Sequence, residues 1–191
     1  MSKNILILSG SPKRNGNTKR LVDWFMEGAR KKGAECELIE TAFMKFKFSG
    51  CLSCRVCQKR KEYGCVINDD AKQVLPKIID ASVIVMATPL YFYGPSAQLK
   101  VIFDRWFSLY KWDNKAGTMK TPLKGKTMVL LASAYEDIGL KDLARPFKLT
   151  ADYSGMKFTS LLVPNAGESG DIVKLRGVHG KAVALGKKVC S

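Results

Sequence analysis

Four cysteines stand close together in Cys51-Leu52-Ser53-Cys54-Arg55-Val56-Cys57 and Cys65, a C-x2-C-x2-C-x7-C pattern. Thiolates at this spacing on a tight loop can converge on one metal centre without help from the rest of the chain. Four sulfurs satisfy a [4Fe–4S] cluster. They equally satisfy a structural zinc, and free or disulfide-bonded thiols are the third reading. His179 is the lone histidine and is too far along the chain to offer a local Cys/His zinc site. Cys36 and Cys190 lie outside the pattern and read as small buried or terminal thiols.

A second constellation is Ser9-Gly10-Ser11-Pro12-Lys13-Arg14-Asn15-Gly16-Asn17-Thr18. Hydroxyls at 9, 11 and 18 and the Asn17 amide can hydrogen-bond phosphate oxygens, and Lys13 and Arg14 carry the opposite charge. A Walker A loop needs Gly-x4-Gly-Lys-Ser/Thr. Here Gly10 and Gly16 are one residue too far apart, and Asn17 stands where the lysine belongs. The Gly-x-Gly-x-x-Gly of a dinucleotide loop is absent as well. A hydroxyl-rich loop suits a terminal monophosphate, which must be held from several sides.

These residues need a scaffold, and the apolar periodicity supplies one. Asn4 to Leu8 reads as a buried parallel strand, followed by a helix over 17–32 with Leu21, Val22, Phe25 and Ala29 on one face. Further strands are read at 35–39, 82–87, 126–132 and 157–163. Helices are read from Asn68-Asp69-Asp70 to about 80, around Leu99 to Phe107, over 139–153 with a bend or break at Pro146, and over 171–189. Residues 88–95 read as a loop, and a polar connection precedes Lys126. Alternating strands and helices imply an α/β doubly wound five-stranded parallel sheet in one domain over 1–191, with a cysteine-rich insert after strand two at about 43–68. In the order 2-1-3-4-5 ligands belong at the carboxyl ends of strands one and three.

Length and composition agree with this. The chain has 191 residues, 46% of them apolar, which supports a buried core and argues against wholesale disorder. No apolar run approaches the roughly 18 residues that span a bilayer. The N-terminus shows no long apolar region followed by a small-residue cleavage site, so the cytoplasm is expected. The net charge of +15 fits nucleic acid, an anionic cofactor or an acidic partner. Basic residues are scattered, however, and no nucleic-acid-binding motif appears, so neither nucleic acid nor membrane is expected as a partner.

The strand followed by Gly-Ser-Pro-x-x-x-Gly-Asn-Thr resembles the FMN-phosphate loop of the flavodoxin-like NAD(P)H-dependent FMN reductases. Thr88-Pro89-Leu90-Tyr91-Phe92-Tyr93-Gly94 is similar to the second flavin-binding loop of that family, and Lys100 and Asp104-Arg105 fit its following helix. The compact cysteines inside such a chain resemble the iron–sulfur flavoprotein branch. The resemblance implies noncovalent FMN, with Ser9, Ser11, Lys13, Arg14, Asn17 and Thr18 at its phosphate. Pro89, Leu90, Tyr91, Phe92, Tyr93 and Gly94 would line the isoalloxazine, with Ser133 and its loop as a third wall. It implies a [4Fe–4S] cluster on Cys51, Cys54, Cys57 and Cys65, near enough to exchange electrons with FMN of the same subunit or a neighbour. NADH, NADPH or a ferredoxin-type carrier would donate electrons, and a small molecule or protein would accept them. A homodimer or homotetramer is implied. No catalytic side chain is assigned, because flavin carries the chemistry. A noncatalytic electron carrier for an acidic partner is the alternative, and a zinc-containing nucleic-acid binder a remote one.

Overall fold

The computed structural model describes residues 3–113 and 115–191. Strand β1 (Asn4–Ser9) buries Ile5, Leu6, Ile7 and Leu8 on both faces, as a central parallel strand requires. Helix α1 (Asn17–Arg30) follows and leads to β2 (Glu35–Glu40). The insert then runs from a short 3-10 turn at Thr41–Phe43 through the one-turn helix α2 (Val56–Lys59) to α3 (Ala71–Asp80). Asp69 caps α3 by accepting from the Ala71 amide at 3.1 Å, while Asp70 accepts from the Lys45 amide at 2.7 Å.

Strand β3 (Val83–Tyr91) runs further than the sequence predicts. It turns back as an antiparallel hairpin with β4 (Gly94–Pro95), so 88–95 is a strand end and hairpin rather than a loop. Helix α4 (Ala97–Asp104) and a 3-10 turn at Arg105–Leu109 follow. The polar connection before residue 126 contains a second hairpin, β5 (Lys111–Asp113) with β6 (Thr118–Lys120). There the Asp113 carboxylate accepts from the amides of Lys115 and Ala116. Strand β7 (Thr127–Ser133) leads to α5 (Leu140–Ser154), which continues as helix through Pro146 without a break. Strand β8 (Lys157–Val163) precedes α6 (Asp171–Lys174) and α7 (Val178–Lys188). The expected single last helix is therefore two. The break spans 175–177, where Leu175 is extended with ψ of 112° and Gly177 has a φ of +80° that no right-handed helix accommodates.

The parallel sheet has the order β2-β1-β3-β7-β8, which is the 2-1-3-4-5 order of a doubly wound fold. Strand alternation splits the core. Leu6, Leu8, Ile84 and Met86 face α3, α4 and α5, whereas Ile5, Ile7, Val83 and Val85 face α1 and α7. Helices α1 and α7 meet through glycine. A Cβ on Gly28 would stand 2.0 Å from the Val183 carbonyl oxygen, and one on Gly186 would stand 2.1 Å from that of Phe25. Among the described residues no helix is long and apolar enough to cross a membrane.

Candidate functional site

Four carboxyl-end loops converge on one cavity of about 180 Å³. The β1–α1 loop brings Ser11, Lys13, Gly16, Asn17 and Thr18. The end of β3 brings Pro89, Leu90 and Tyr91, and β7 with its loop brings Ser133, Ala134 and Tyr135. The β8–α6 loop adds Ala166, Gly167 and Ser169. No side chain caps α1, so the amides of its first turn, which have no intrahelical partners, are presented at this cavity. Backbone donors, a lysine and hydroxyls together suit an anion at a helix N-terminus. Ser11 holds the loop in shape, its Oγ accepting from the Lys13 amide at 3.3 Å, and Thr18 and Ser133 share a buried hydroxyl contact of 3.1 Å.

Three residues of the sequence motif stand otherwise than the motif suggests. The Asn17 amide is fully engaged. Its Nδ2 donates to the carbonyls of Ala166 and Glu168, each at 2.7 Å, and its Oδ1 accepts from the amides of Gly170 and Ile172. That side chain is the clasp that holds the β8–α6 loop against α1. Arg14 turns away, 3.5 Å from Glu40 and stacked 3.8 Å over the Phe43 ring. Ser9 is buried beneath the loop, and its carbonyl accepts from the Thr41 hydroxyl at 3.2 Å. The β8–α6 wall escaped the sequence reading. Its signal was the turn composition of 165–170 at the carboxyl end of the last strand.

The β3–β4 hairpin forms the rim. Its two-residue turn is Phe92-Tyr93, with φ of +45° and +65°. A turn with both residues at positive φ strongly favours Asn-Gly, so two aromatics there store strain. Leu90, Tyr91, Phe92 and Tyr93 with Tyr135, Glu136 and Ile138 line a neighbouring apolar recess of about 450 Å³. Leu90, Tyr91 and Tyr135 belong to both cavities. Gly94 closes the hairpin opposite Tyr91. Ser96 fixes the hairpin to the first loop. Its Oγ donates to the Gly10 carbonyl at 2.7 Å and its amide donates to Thr88 Oγ1 at 2.9 Å. Gly10 has no space for a side chain, because a Cβ would lie 2.4 Å from Ser96 Oγ.

Cys51, Cys54, Cys57 and Cys65 line one small cavity of about 20 Å³, together with Leu52, Arg55 and Arg105 among others. Cys51 and Cys54 are exposed and Cys57 is buried. The loop is tightly wound, with Ser53 and Arg55 at positive φ and the Ser53 amide donating to Cys51 Sγ at 3.4 Å. Burial pushes the Cys57 thiol up, with the Gln58 amide and Lys111 acting against it. Among the described residues no three Cys, His, Asp or Glu side chains are gathered to hold a metal ion. The expected ligands are thus brought to one place but not to ligating distance. Their donor set, the loop amide turned on sulfur and Arg105 among the lining residues, with its buried Nε–H unpartnered, nevertheless suit a sulfur-rich centre.

The insert is sewn to one segment. The Arg105 guanidinium grips Asp69 with both Nη atoms at 2.8 Å and donates to the Phe48 carbonyl. Gln58 donates to the Tyr110 carbonyl at 2.9 Å, Gly64 to that of Ser108 at 3.1 Å, and Lys111 to those of Cys57 and Arg60. Burial alone would raise the Asp69 carboxyl. The Arg105 hydrogen bonds and the amides of Lys47 and Ala71 outweigh it and hold it below the ordinary range.

Comparison with known proteins agrees with this geometry. Residues 3–161 match the NADPH-dependent FMN reductase family. An iron–sulfur flavoprotein of Archaeoglobus fulgidus is 35% identical over 143 residues, which is 73% of this chain and 66% of that protein. One of Methanocaldococcus jannaschii is 37% identical over 101 residues, 53% of this chain and 50% of that protein, so the match spans about half of that relative's length. Among solved structures, an NAD(P)H:quinone oxidoreductase from Methanothermobacter marburgensis superposes with a TM-score of 0.75 at 19% identity, covering 99% of this chain and 98% of that one. An FMN-dependent NADH-azoreductase of Bacillus anthracis, solved with FMN, gives 0.72 at 13% identity, covering 98% of this chain and 100% of that one. The chain belongs to the NADPH-dependent FMN reductase family.

Proposed function

We propose that residues 1–191 form one FMN-binding unit that takes electrons from NADH, NADPH or a ferredoxin-type carrier and passes them through FMN and a [4Fe–4S] cluster to a small-molecule or protein acceptor. The observation that carries this is the convergence of four carboxyl-end loops on one cavity at the uncapped start of α1. Lys13, the Ser11 hydroxyl and the first-turn amides of α1 would hold the phosphate. Asn17 acts at one remove, by fixing the loop of Ala166, Gly167 and Ser169. Thr18 and Ser133 set the cavity floor. Tyr91, Phe92, Tyr93 and Tyr135 would shape and dry the recess for the flavin ring. Cys51, Cys54, Cys57 and Cys65 would be the cluster ligands after the exposed half of their loop closes on Cys57.

When bound, flavin supplies hydride and one-electron chemistry and the cluster supplies one-electron chemistry, so the pair would convert between the two. The chain contributes position and electrostatics. No side chain in the recess is needed as nucleophile. In a soluble compartment such as the cytoplasm a homodimer or homotetramer would complete the assembly.

The test is anaerobic purification with a visible spectrum and with flavin, iron and sulfide analysis of one sample. The reading expects FMN and about four irons per chain. Protein that binds no added FMN refutes it. FMN without iron or sulfide after reconstitution reduces it to a plain flavin reductase. Rapid bleaching of the flavin by NADPH or NADH supports an enzyme, whereas bleaching by reduced ferredoxin alone makes the chain a carrier.

A further inference from the structure

Arg105 is the one buried lysine or arginine among the described residues, at 1% exposure. Its five N–H donors divide unevenly. The two Nη atoms make an end-on fork to Asp69 and reach the Phe48 carbonyl. The Nε–H lies outside that fork. It is buried and has no partner, a state shared among the described residues only by the indole nitrogen of neighbouring Trp106. Leaving a buried donor unmade is expensive, and guanidinium is a costly group to bury at all. Arg105 also lines the cavity of the four cysteines. A residue with an idle cationic donor therefore lines the same small cavity as the four cysteines, beside Arg55, Phe107 and Ser108.

We infer that Arg105 is a positioning residue for a sulfur-bound centre: its Nε–H donates to a thiolate or sulfide of a [4Fe–4S] cluster on Cys51, Cys54, Cys57 and Cys65 and raises that cluster's reduction potential. The inference rests on the cluster reading above. Reduction by one electron from the donor adds a negative charge to the cluster, and a hydrogen bond to sulfur stabilises the reduced form. The Asp69 carboxylate balances the guanidinium charge, so the effect comes from the directed N–H rather than from net charge. Asp69 is itself fixed by the amides of Lys47 and Ala71, at 3.0 and 3.1 Å, which keeps the fork from swinging.

The experiment compares the full chain with Arg105→Lys, both reconstituted anaerobically with iron and sulfide. Lysine keeps the charge opposite Asp69 but has no Nε–H. Arg105→Lys should retain FMN and iron while its ratio of reduced to oxidised cluster at a fixed poise falls about tenfold, or about 59 mV for a one-electron couple. A second measurement needs no stable variant. Wild-type protein labelled with guanidino-15N arginine should show a nitrogen coupling to the reduced cluster in pulsed electron paramagnetic resonance. That coupling should survive Arg55→Lys, the other arginine in the cavity wall. An unchanged midpoint in a fully loaded Arg105→Lys protein, or no arginine coupling in the wild type, overturns the role of Arg105 and leaves the cluster standing. Wild-type protein that takes up neither iron nor sulfide overturns the cluster reading, and this role with it.

Discussion

Replacing Phe92 by asparagine should stabilise the flavin-free protein while impairing it. Phe92 is fully exposed at the hairpin turn with φ of +45°, so its removal gives up no buried area. A side-chain-bearing residue in the left-handed region costs roughly 1–2 kcal/mol, and asparagine recovers part of that. A gain of about 0.5–1 kcal/mol follows, and a chain of this size shifts by about 2–4 °C per kcal/mol, so Tm should rise by about 1–4 °C. The assay is thermal unfolding of protein stripped of flavin, because any bound ligand would add its own linkage to Tm. The same variant loses one aromatic wall of the 450 Å³ recess. Aromatic pairing is worth about 0.5–1.5 kcal/mol, so FMN binding or turnover of a flat acceptor should weaken by about 2- to 12-fold. An unchanged or lowered Tm for Phe92→Asn would refute the claim that this turn carries strain kept for function.

Three further outcomes are expected. Gly28→Ala drives a Cβ into the Val183 carbonyl and should cost about 2–3 kcal/mol in urea unfolding, whereas Gly180→Ala meets nothing within 4 Å and should gain up to about 1 kcal/mol. Lys13→Gln should weaken FMN by about 10- to 100-fold, as the loss of a charge-assisted hydrogen bond, and leave riboflavin binding unchanged; equal losses by fluorescence titration would show that Lys13 does not meet the phosphate. The folded pKa of Asp69 lies below its ordinary value, so the stability it contributes is complete above about pH 4 and is lost as pH falls through the folded pKa. Asp69→Asn should therefore flatten the urea midpoint against pH below about pH 4, and parallel curves would contradict the pairing.

The sheet was legible because its central strands advertise themselves. β1, β3 and β7 are buried on both faces and so read as unbroken apolar runs. The place of the β1–α1 loop was legible by composition, since serines, a lysine and two glycines between a strand and a helix mark a loop at the carboxyl rim, and there it lines the cavity at the start of α1. What the sequence could not announce was partnership at a distance. Asn17 looks like a phosphate donor until Ala166 and Glu168, some 150 positions on, claim its amide. Phe92-Tyr93 hides its hairpin because neither residue favours positive φ. Leu175 and Gly177 divide α6 from α7 through their backbone angles, with no change in apolar period to mark it. Arg105 and Asp69 pair across 36 positions, and only the fold makes them neighbours.

Helix α4 sets the distance between the two sites. At its start Ser96 donates to the Gly10 carbonyl of the β1–α1 loop, and just past its end Arg105 carries the insert through Asp69 and Phe48. Eight residues of α-helix span about 12 Å. The insert leaves the sheet at the carboxyl rim, after β2, but its cysteines end beside the segment that follows α4 rather than in the cavity at the start of α1. The same logic removes part of the puzzle of the positive charge. Lys3 donates to the Val189 carbonyl, Lys126 to those of Ile79 and Ala81, and Lys111 to those of Cys57 and Arg60. Each of these cations answers carbonyls at a helix end or inside the insert, where a positive charge meets the negative end of the backbone dipole. They are structural ties, and only the remaining exposed charge is available to a partner.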